Sequence, residues 1–279
     1  MSEHLCDIYV VGTGMVGTRQ LTREVELAFE SSSEVYLLDH QPEIMRRHLD
    51  SFDAEVTDLR ELYDEGGLRE NSYEAMAETV LDAAEASDEP VTLALYGHPF
   101  VFVSPSRWIV EKAPERGLCV EKRPGVSSMD CLYADLPLDP AANGVQMYEA
   151  TDLLLHEYDL EPRAPAMIWQ IGIVETLRYT EADHRPERFS RIRRYLQRFY
   201  PDDHEVHLLQ TATYPFTESR RLTFALSEFE AMSDEINAVQ TLYVPRVPEK
   251  EVVNEALADR VASADHLETI TRGRADESG

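Results

Sequence analysis

The chain has 279 residues, 43% of them hydrophobic, which is enough to fill one large core or two modest ones and excludes an intrinsically disordered protein. It carries 53 acids against 26 bases, a formal net charge of -27, and a field of that sign repels nucleic acid and anionic membrane. The acids run along the whole chain and only three bases are lysines (Lys112, Lys122, Lys250), which reads as an acidic surface hydrated at high salt, as in halophilic proteins, rather than as a docking face for a basic partner.

Residues 7–11 (DIYVV) form a short apolar run closed by glycine, the pattern of a buried parallel strand. Helical spacing follows over 18–29, then a second strand over 34–38 (EVYLL) that ends at Asp39. Residues 73–85 predict a helix, with Ser72 as its cap and Ala75, Ala77, Val80, Leu81 and Ala84 along it. A central strand over 91–96, a helix over 107–116 and a short strand over 118–121 complete a β-α-β-α-β rhythm, which makes an open α/β sheet with helices on its faces. The second half differs: a strand over 166–173, a helix over 186–199 with Pro186 at its first position, and strands over 205–210, 221–225 and 241–244. Their alternation predicts a more mixed sheet. The expected organisation is an N-terminal α/β domain over 1–125, a C-terminal one over 126–247, and an acidic tail over 248–279 holding one helix (252–262) and a disordered end.

No stretch approaches the ~20 apolar residues of a membrane helix. The opening MSEHLCDIYVVG has no basic n-region and no cleavage site, and Cys6, Cys119 and Cys131 are far apart with no C-x-x-C. The expectation is a cytoplasmic protein in a reducing compartment.

Gly12-Thr13-Gly14-Met15-Val16-Gly17 follows a strand and precedes a helix, and Asp39 closes the second strand 22 residues after Gly17. By rule this is a dinucleotide fingerprint, with glycines for the tight turn, a helix start for pyrophosphate and an acid for the ribose, and it supports an NAD(P)-dependent oxidoreductase. It is equally a glycine turn joining strand to helix. Two later segments pull elsewhere. Tyr96-Gly97-His98-Pro99-Phe100-Val101-Phe102 sits at the carboxyl end of the central strand, where open sheets bind ligands, and Pro124-Gly125-Val126-Ser127-Ser128-Met129-Asp130 is a second strand-end loop of small and hydroxyl residues. Two such loops can line one cleft.

With these residues the sequence resembles the tetrapyrrole methylase family, whose G-x-P-x-x-F element appears as Gly97 to Phe102, its P-G-[IV]-S-[SA] element as Pro124 to Ser128, and its opening G-x-G turn as Gly12 and Gly14. Order and spacing fit over residues 5–246. The resemblance implies an α/β, two-domain class III methyltransferase fold with S-adenosylmethionine in the interdomain cleft. In that cleft it implies Tyr96, His98, Val101 and Phe102 as pocket walls, contacts from Ser127, Ser128 and Met129, and a polar contact from Gln170. His98 then shapes the pocket rather than acting as a base. A narrower resemblance, carried by LYGHPFVFVSPS (95–106), PGVSSMDCLYADLPLDP (124–140), YEATDLL (148–154), Trp169 to Gly172, Tyr200 to Val206 and Leu242 to Pro245, is to the borosin peptide α-N-methyltransferases.

An amide nitrogen is a poor nucleophile, so its methylation needs an in-line methyl, a stabilised carbonyl oxygen and a base for the N–H proton. The stretch 58–73 (DLRELYDEGGLRENSY) resembles the borosin catalytic segment, which implies Tyr63, Arg69 and Tyr73 as catalytic residues. Arg69 beside the phenols would favour phenolate, making Tyr63 or Tyr73 the base while the other phenol bonds the amide oxygen. Where omphalotin-type enzymes carry a further tyrosine this chain has Arg60. About thirty polar residues follow the methylase region, in place of the apolar core peptide of fused borosins. The expectation is therefore the split arrangement, a homodimer or enzyme–precursor heteromer that methylates a separate precursor peptide. A small-molecule methyltransferase of the same fold is the alternative. No metal site is expected: His204 and His207 have no third ligand, and Trp108 and Trp169 read as core.

Overall fold

The computed structural model describes residues 6–247 and 252–271. Its first half is a parallel five-stranded sheet of β1 (Ile8–Gly12), β2 (Glu34–Leu38), β3 (Glu55–Asp58), β4 (Val91–Leu95) and β5 (Val120–Arg123), in the order β3-β2-β4-β1-β5. Alternation sends Ile8 and Val10 to one face and Tyr9 and Val11 to the other, and both faces are covered. Helices α1 (Arg23–Ser31) and α2 (Glu43–Leu49) bury Val25, Phe29, Met45 and Leu49 against Val11, Val35 and Leu37. On the other side α3 (Arg69–Ala86) and α4 (Pro105–Lys112) bury Met76, Val80, Leu81 and Ile109 against Leu93 and Leu95. Each of these side chains contributes about 1.5–3 kcal/mol by leaving water.

The second half is built around another five-stranded sheet, β6 (Gln146–Glu149), β7 (Ala166–Trp169), β8 (Glu205–Gln210), β9 (Arg220–Ala225) and β10 (Thr241–Val244), in the order β6-β7-β10-β8-β9. Only β6 and β7 are parallel, so the sheet is mixed as its alternation predicts. Helix α5 (Ser128–Asp135) leads into it and sets Leu132 against Met167, Trp169 and Leu209 on one face. After the short α6 (Pro140–Asn143), α7 (Ala150–His156) and α8 (Ser190–Leu196) cover the other face with Leu153, Phe189, Ile192 and Leu196.

Several boundaries move, each for a local reason. The predicted 18–29 helix is interrupted: a 3-10 turn over Gly17–Gln20 precedes α1, and Thr22 caps α1 through its hydroxyl to the Val25 amide. Helix α3 starts four residues before Tyr73, and Ser72 is buried inside it at 4% exposure rather than capping it. Strand β7 stops at Trp169, because Gln170 turns left-handed (φ 56°) into a 3-10 turn over Ile171–Ile173. Strand β5 lies two residues later than expected, and its Arg123 guanidinium sits 4.4 Å over the Tyr9 ring. In the tail the expected 252–262 helix shrinks to α9 (Glu255–Ala258), and α10 (Ala264–Ile270) follows behind a Ser263 cap. The end expected to be disordered falls largely outside the described residues. Among the described residues no helix is long and apolar enough to cross a membrane.

Candidate active site

The loops beyond β1, β4 and β5 meet at the carboxyl edge of the first sheet, on three neighbouring strands. Backbone touches backbone there: a side chain on Gly12 would strike the Gly97 carbonyl and the Gly125 nitrogen, and one on Gly125 would strike the carbonyl oxygens of Gly97 and Gly12. The Gly97 amide donates to the Gly14 carbonyl at 2.8 Å, and the Gly14 amide returns a bond to Gly97 at 3.2 Å. Three more amides of the glycine turn are engaged, since Gln20 Oε1 accepts from Met15 (2.6 Å) and Val16 (3.0 Å) and the Thr13 amide donates to Leu95. Donors that a dinucleotide pyrophosphate would need are thus held by the protein itself, and the G-x-G-x-x-G reads as a packing device.

This junction forms one wall of a cavity of about 110 Å³ lined by Tyr96, Gly97, His98, Val101, Phe102, Ser127, Ser128, Trp169 and Gln170. Ten of the eleven residues expected at the site by sequence line this cavity or its neighbour. The eleventh, Met129, does not: one turn position beyond Ser128, its side chain packs with the Leu132–Trp169 cluster. His98 uses Nδ1 to accept from the Phe100 amide at 3.1 Å, which fixes the turn and supports a shaping role. Ser127 is 2% exposed and caps α5 in a reciprocal bond with Asp130. Phe102 and Gln170 both hold left-handed backbone (φ 57° and 56°), a conformation that costs about 1–3 kcal/mol for residues other than glycine and that collects at ligand sites. Trp169 is 4% exposed, as a core residue should be, yet its indole Nε1 is buried without a partner at the cavity wall.

Tyr96, His40, Phe102, Val103, Gln170, Ala238 and Val239 also line a second cavity of about 870 Å³, so the two adjoin through a shared wall. Tyr63, Arg69 and Tyr73 all face this larger space. Tyr63 meets Tyr73 edge-on, with ring centroids 6.1 Å apart, and burial first, then Tyr73, Tyr96 and Tyr179, hold its phenol far above the ordinary value. Arg69 is placed differently from the expectation. Its guanidinium donates to the Thr176 carbonyl at 2.6 Å, its other terminal nitrogen is buried without a partner, and it is not among the charges that set the Tyr63 phenol. Arg60 is bonded to Asp58 (3.1 and 2.7 Å); burial alone would raise that carboxyl, but the Arg60 bonds and charge, with Arg46, bring it below its usual range.

Several lining residues escaped the sequence. His40 lines both cavities; beside it Asp39, read from the sequence as an acid for a ribose, lines the larger one, and burial pushes the Asp39 carboxyl up and the His40 imidazole down. Thr211, Thr213, Ala238 and Val239 come from the loops after β8 and before β10, and Tyr179, His184 and Arg188 from the segment after β7. That segment is clamped to the first half: the Gly66 amide donates to Tyr179, Tyr179 to Gly67 and Arg69 to Leu177, at 2.9–3.0 Å. Polar runs such as TAT (211–213) and NAV (237–239) were the only sequence signal for these walls. His204 and His207 serve elsewhere, on the Pro245 carbonyl and on Thr223 with Arg221.

Comparison with known proteins adds the lineage. A family model described as Tetrapyrrole (Corrin/Porphyrin) Methylases matches residues 7–227. A methyltransferase/ribosomally synthesized type II borosin cyclic peptide precursor of Phlebiopsis gigantea is 32% identical over 85% of this chain and 42% of its own length. A methyltransferase/gymnopeptides precursor of Gymnopus fusipes is 29% identical over 85% of this chain and 56% of its own. The chain thus spans about half the length of these relatives. Among solved structures, a uroporphyrin-III-C-methyltransferase of Thermus thermophilus superposes with a TM-score of 0.61 at 16% identity, covering 86% of this chain and 94% of that one, which bears out the fold. A matched family model over most of the chain, the glycine junction at the strand ends and the two-sheet architecture agree: this chain belongs to the tetrapyrrole methylase family.

Proposed function

We propose that the protein is a methyltransferase that carries a methyl group from S-adenosylmethionine to backbone amide nitrogens of a peptide. The observation that carries this reading is the adjacency of the two cavities, which share seven lining residues, with the strand-end loops at one and Tyr63, Arg69 and Tyr73 at the other. The smaller space falls below the ~300–1,000 Å³ of ordinary ligand pockets, so a nucleoside-sized cofactor fits by extending into the larger one. The orphaned Trp169 Nε1–H and the side chain of Gln170 offer it polar contacts. When bound, S-adenosylmethionine supplies an electrophilic methyl on a sulfonium.

The chain's own residues then orient and activate the amide. A phenol held neutral by burial is a donor, not a base, so Tyr63 donates to the amide oxygen as that oxygen gains charge, and the Arg69 cation favours the same charge. Tyr73, edge-on to Tyr63 and facing the same cavity, is the group left for the N–H side. Tyr73 is placed to accept the N–H proton that the amide must give up on methylation. A tetrapyrrole-type small molecule is the weaker reading, because the phenol–guanidinium cluster faces the cavity in which the acceptor would lie.

The named relatives that join a methyltransferase to its peptide precursor support a peptide acceptor. The same reading includes a precursor supplied as a separate chain and a homodimer, in which a second copy covers large apolar side chains now exposed, such as Leu155, Leu177 and Phe216. Cys6, Cys119 and Cys131 are not joined in disulfides, in keeping with the proposed cytoplasmic setting. The test is co-expression with candidate precursor peptides and tandem mass spectrometry. Methyl increments on backbone amides, lost in Tyr73→Phe and Arg69→Ala, are the expected result. Unmodified peptides from a protein that binds S-adenosylhomocysteine would move the acceptor to a small molecule.

A further inference from the structure

Tyr179 is the side chain in the large cavity that the mechanism above leaves without a task. It comes from the second half, yet its ring lies flat on Tyr63, with centroids 4.5 Å apart and planes 11° from parallel. Tyr73 meets Tyr63 edge-on, so Tyr63 is held on a face by one neighbour and at an edge by the other. The Tyr179 backbone is fixed in both directions, its amide donating to Gly67 at 3.0 Å and its carbonyl accepting from Gly66 at 2.9 Å. Its hydroxyl donates to Glu181 Oε1 at 2.8 Å and is therefore turned to another partner than Tyr63. A ring anchored by its backbone and tethered at its tip is a rigid surface, and a rigid surface fixes the plane of whatever stacks on it.

We infer, resting on the methyltransferase reading, that Tyr179 is a positioning residue: its ring sets the plane of Tyr63 and so the direction in which the Tyr63 hydroxyl meets the substrate amide. The site is then completed only when the second half reaches across to the 64–69 loop. Small misplacement of a reacting group costs orders of magnitude in rate, so loss of the flat ring is expected to lower kcat while leaving cofactor affinity alone.

The test compares Tyr179→Phe, Tyr179→Leu and Tyr179→Ala in the full chain. Phenylalanine keeps the flat ring and is expected to rescue kcat to within ~2-fold of wild type, whereas leucine and alanine lower it by about 10-fold or more with little change in KM or in S-adenosylhomocysteine affinity. A second readout needs no peptide. Tyrosinate absorbance is followed against pH, and leucine and alanine, by opening one face of Tyr63 to water, shift its late-titrating phenol to lower pH further than phenylalanine, which removes only the neighbouring Tyr179 hydroxyl. The inference is overturned if phenylalanine is as damaging as alanine, if leucine restores activity, or if neither kcat nor the titration responds to alanine. Should wild type methylate no peptide while the titration still separates the variants, the stack stands and the peptide-acceptor reading falls.

Discussion

The two cavities are walled in different ways. The smaller one, lined by side chains such as Tyr96, His98 and Trp169, rests on loops that leave three adjacent strands of one sheet and are locked together, backbone against backbone, at Gly12, Gly97 and Gly125. The larger one is assembled from the 58–73 segment of the first half and the segment after β7, joined by a clamp of hydrogen bonds and an aromatic stack. A wall locked through main chain admits no side-chain change at the lock, and a wall made of side chains can be retuned one residue at a time. On the proposed function, cofactor binding falls to the rigid wall and acceptor chemistry to the adjustable one.

The comparison breaks most visibly at the glycines. Gly125→Val and Gly12→Val are expected to cost at least ~3 kcal/mol or to prevent folding, read by urea unfolding, with S-adenosylhomocysteine binding lost in the same variants. Next come the side chains of the larger wall. Tyr63→Phe and Arg69→Ala are expected to lower kcat by about 10²-fold or more. Calorimetry should find S-adenosylhomocysteine bound within ~2-fold of wild type, and a parallel loss of binding would erase the distinction between the walls.

A gentler probe is pH. Burial raises the Tyr63 phenol far above its unfolded value near 10, so the stability this group contributes is complete below about pH 10 and is lost as pH rises through the folded value. Melting temperature is expected to fall above pH 10 in wild type, and less steeply in Tyr63→Phe. The smallest effect belongs to Arg60→Ala. It removes the main partner of Asp58, and because Arg60 is partly exposed the expected cost is about 1 kcal/mol, measured by chemical unfolding.

The same division explains what could be read from the sequence. Strands β1, β2, β4, β8 and β10 are short runs of apolar or β-branched residues and stood out within a residue. Strands β3 and β6 escaped notice because EVTD and QMYE, on sheet edges, show no apolar period. The strand-end motifs were legible for a physical reason: backbone contact demands glycine at Gly12 and Gly125, and a left-handed turn (φ 71°) favours it at Gly97, so all three leave a written trace. Tyr179 left none. A tyrosine amid LRYTEA carries no spacing signal, and only the clamp to Gly66 and Gly67 brings it to Tyr63. The Arg69 contact was likewise invisible, because a guanidinium bonded to a main-chain carbonyl 107 positions away follows from topology, not from pattern.

The glycine junction has a genetic consequence. When a buried side chain is enlarged, a neighbour can usually be trimmed to make room, and a second mutation rescues the first. Every atom that a side chain on Gly125 would meet first is main chain, belonging to Gly12 and Gly97. Nothing there can be trimmed, so a selection for intragenic suppressors of a substituted Gly125 should return true revertants and no compensating side-chain change at the contact.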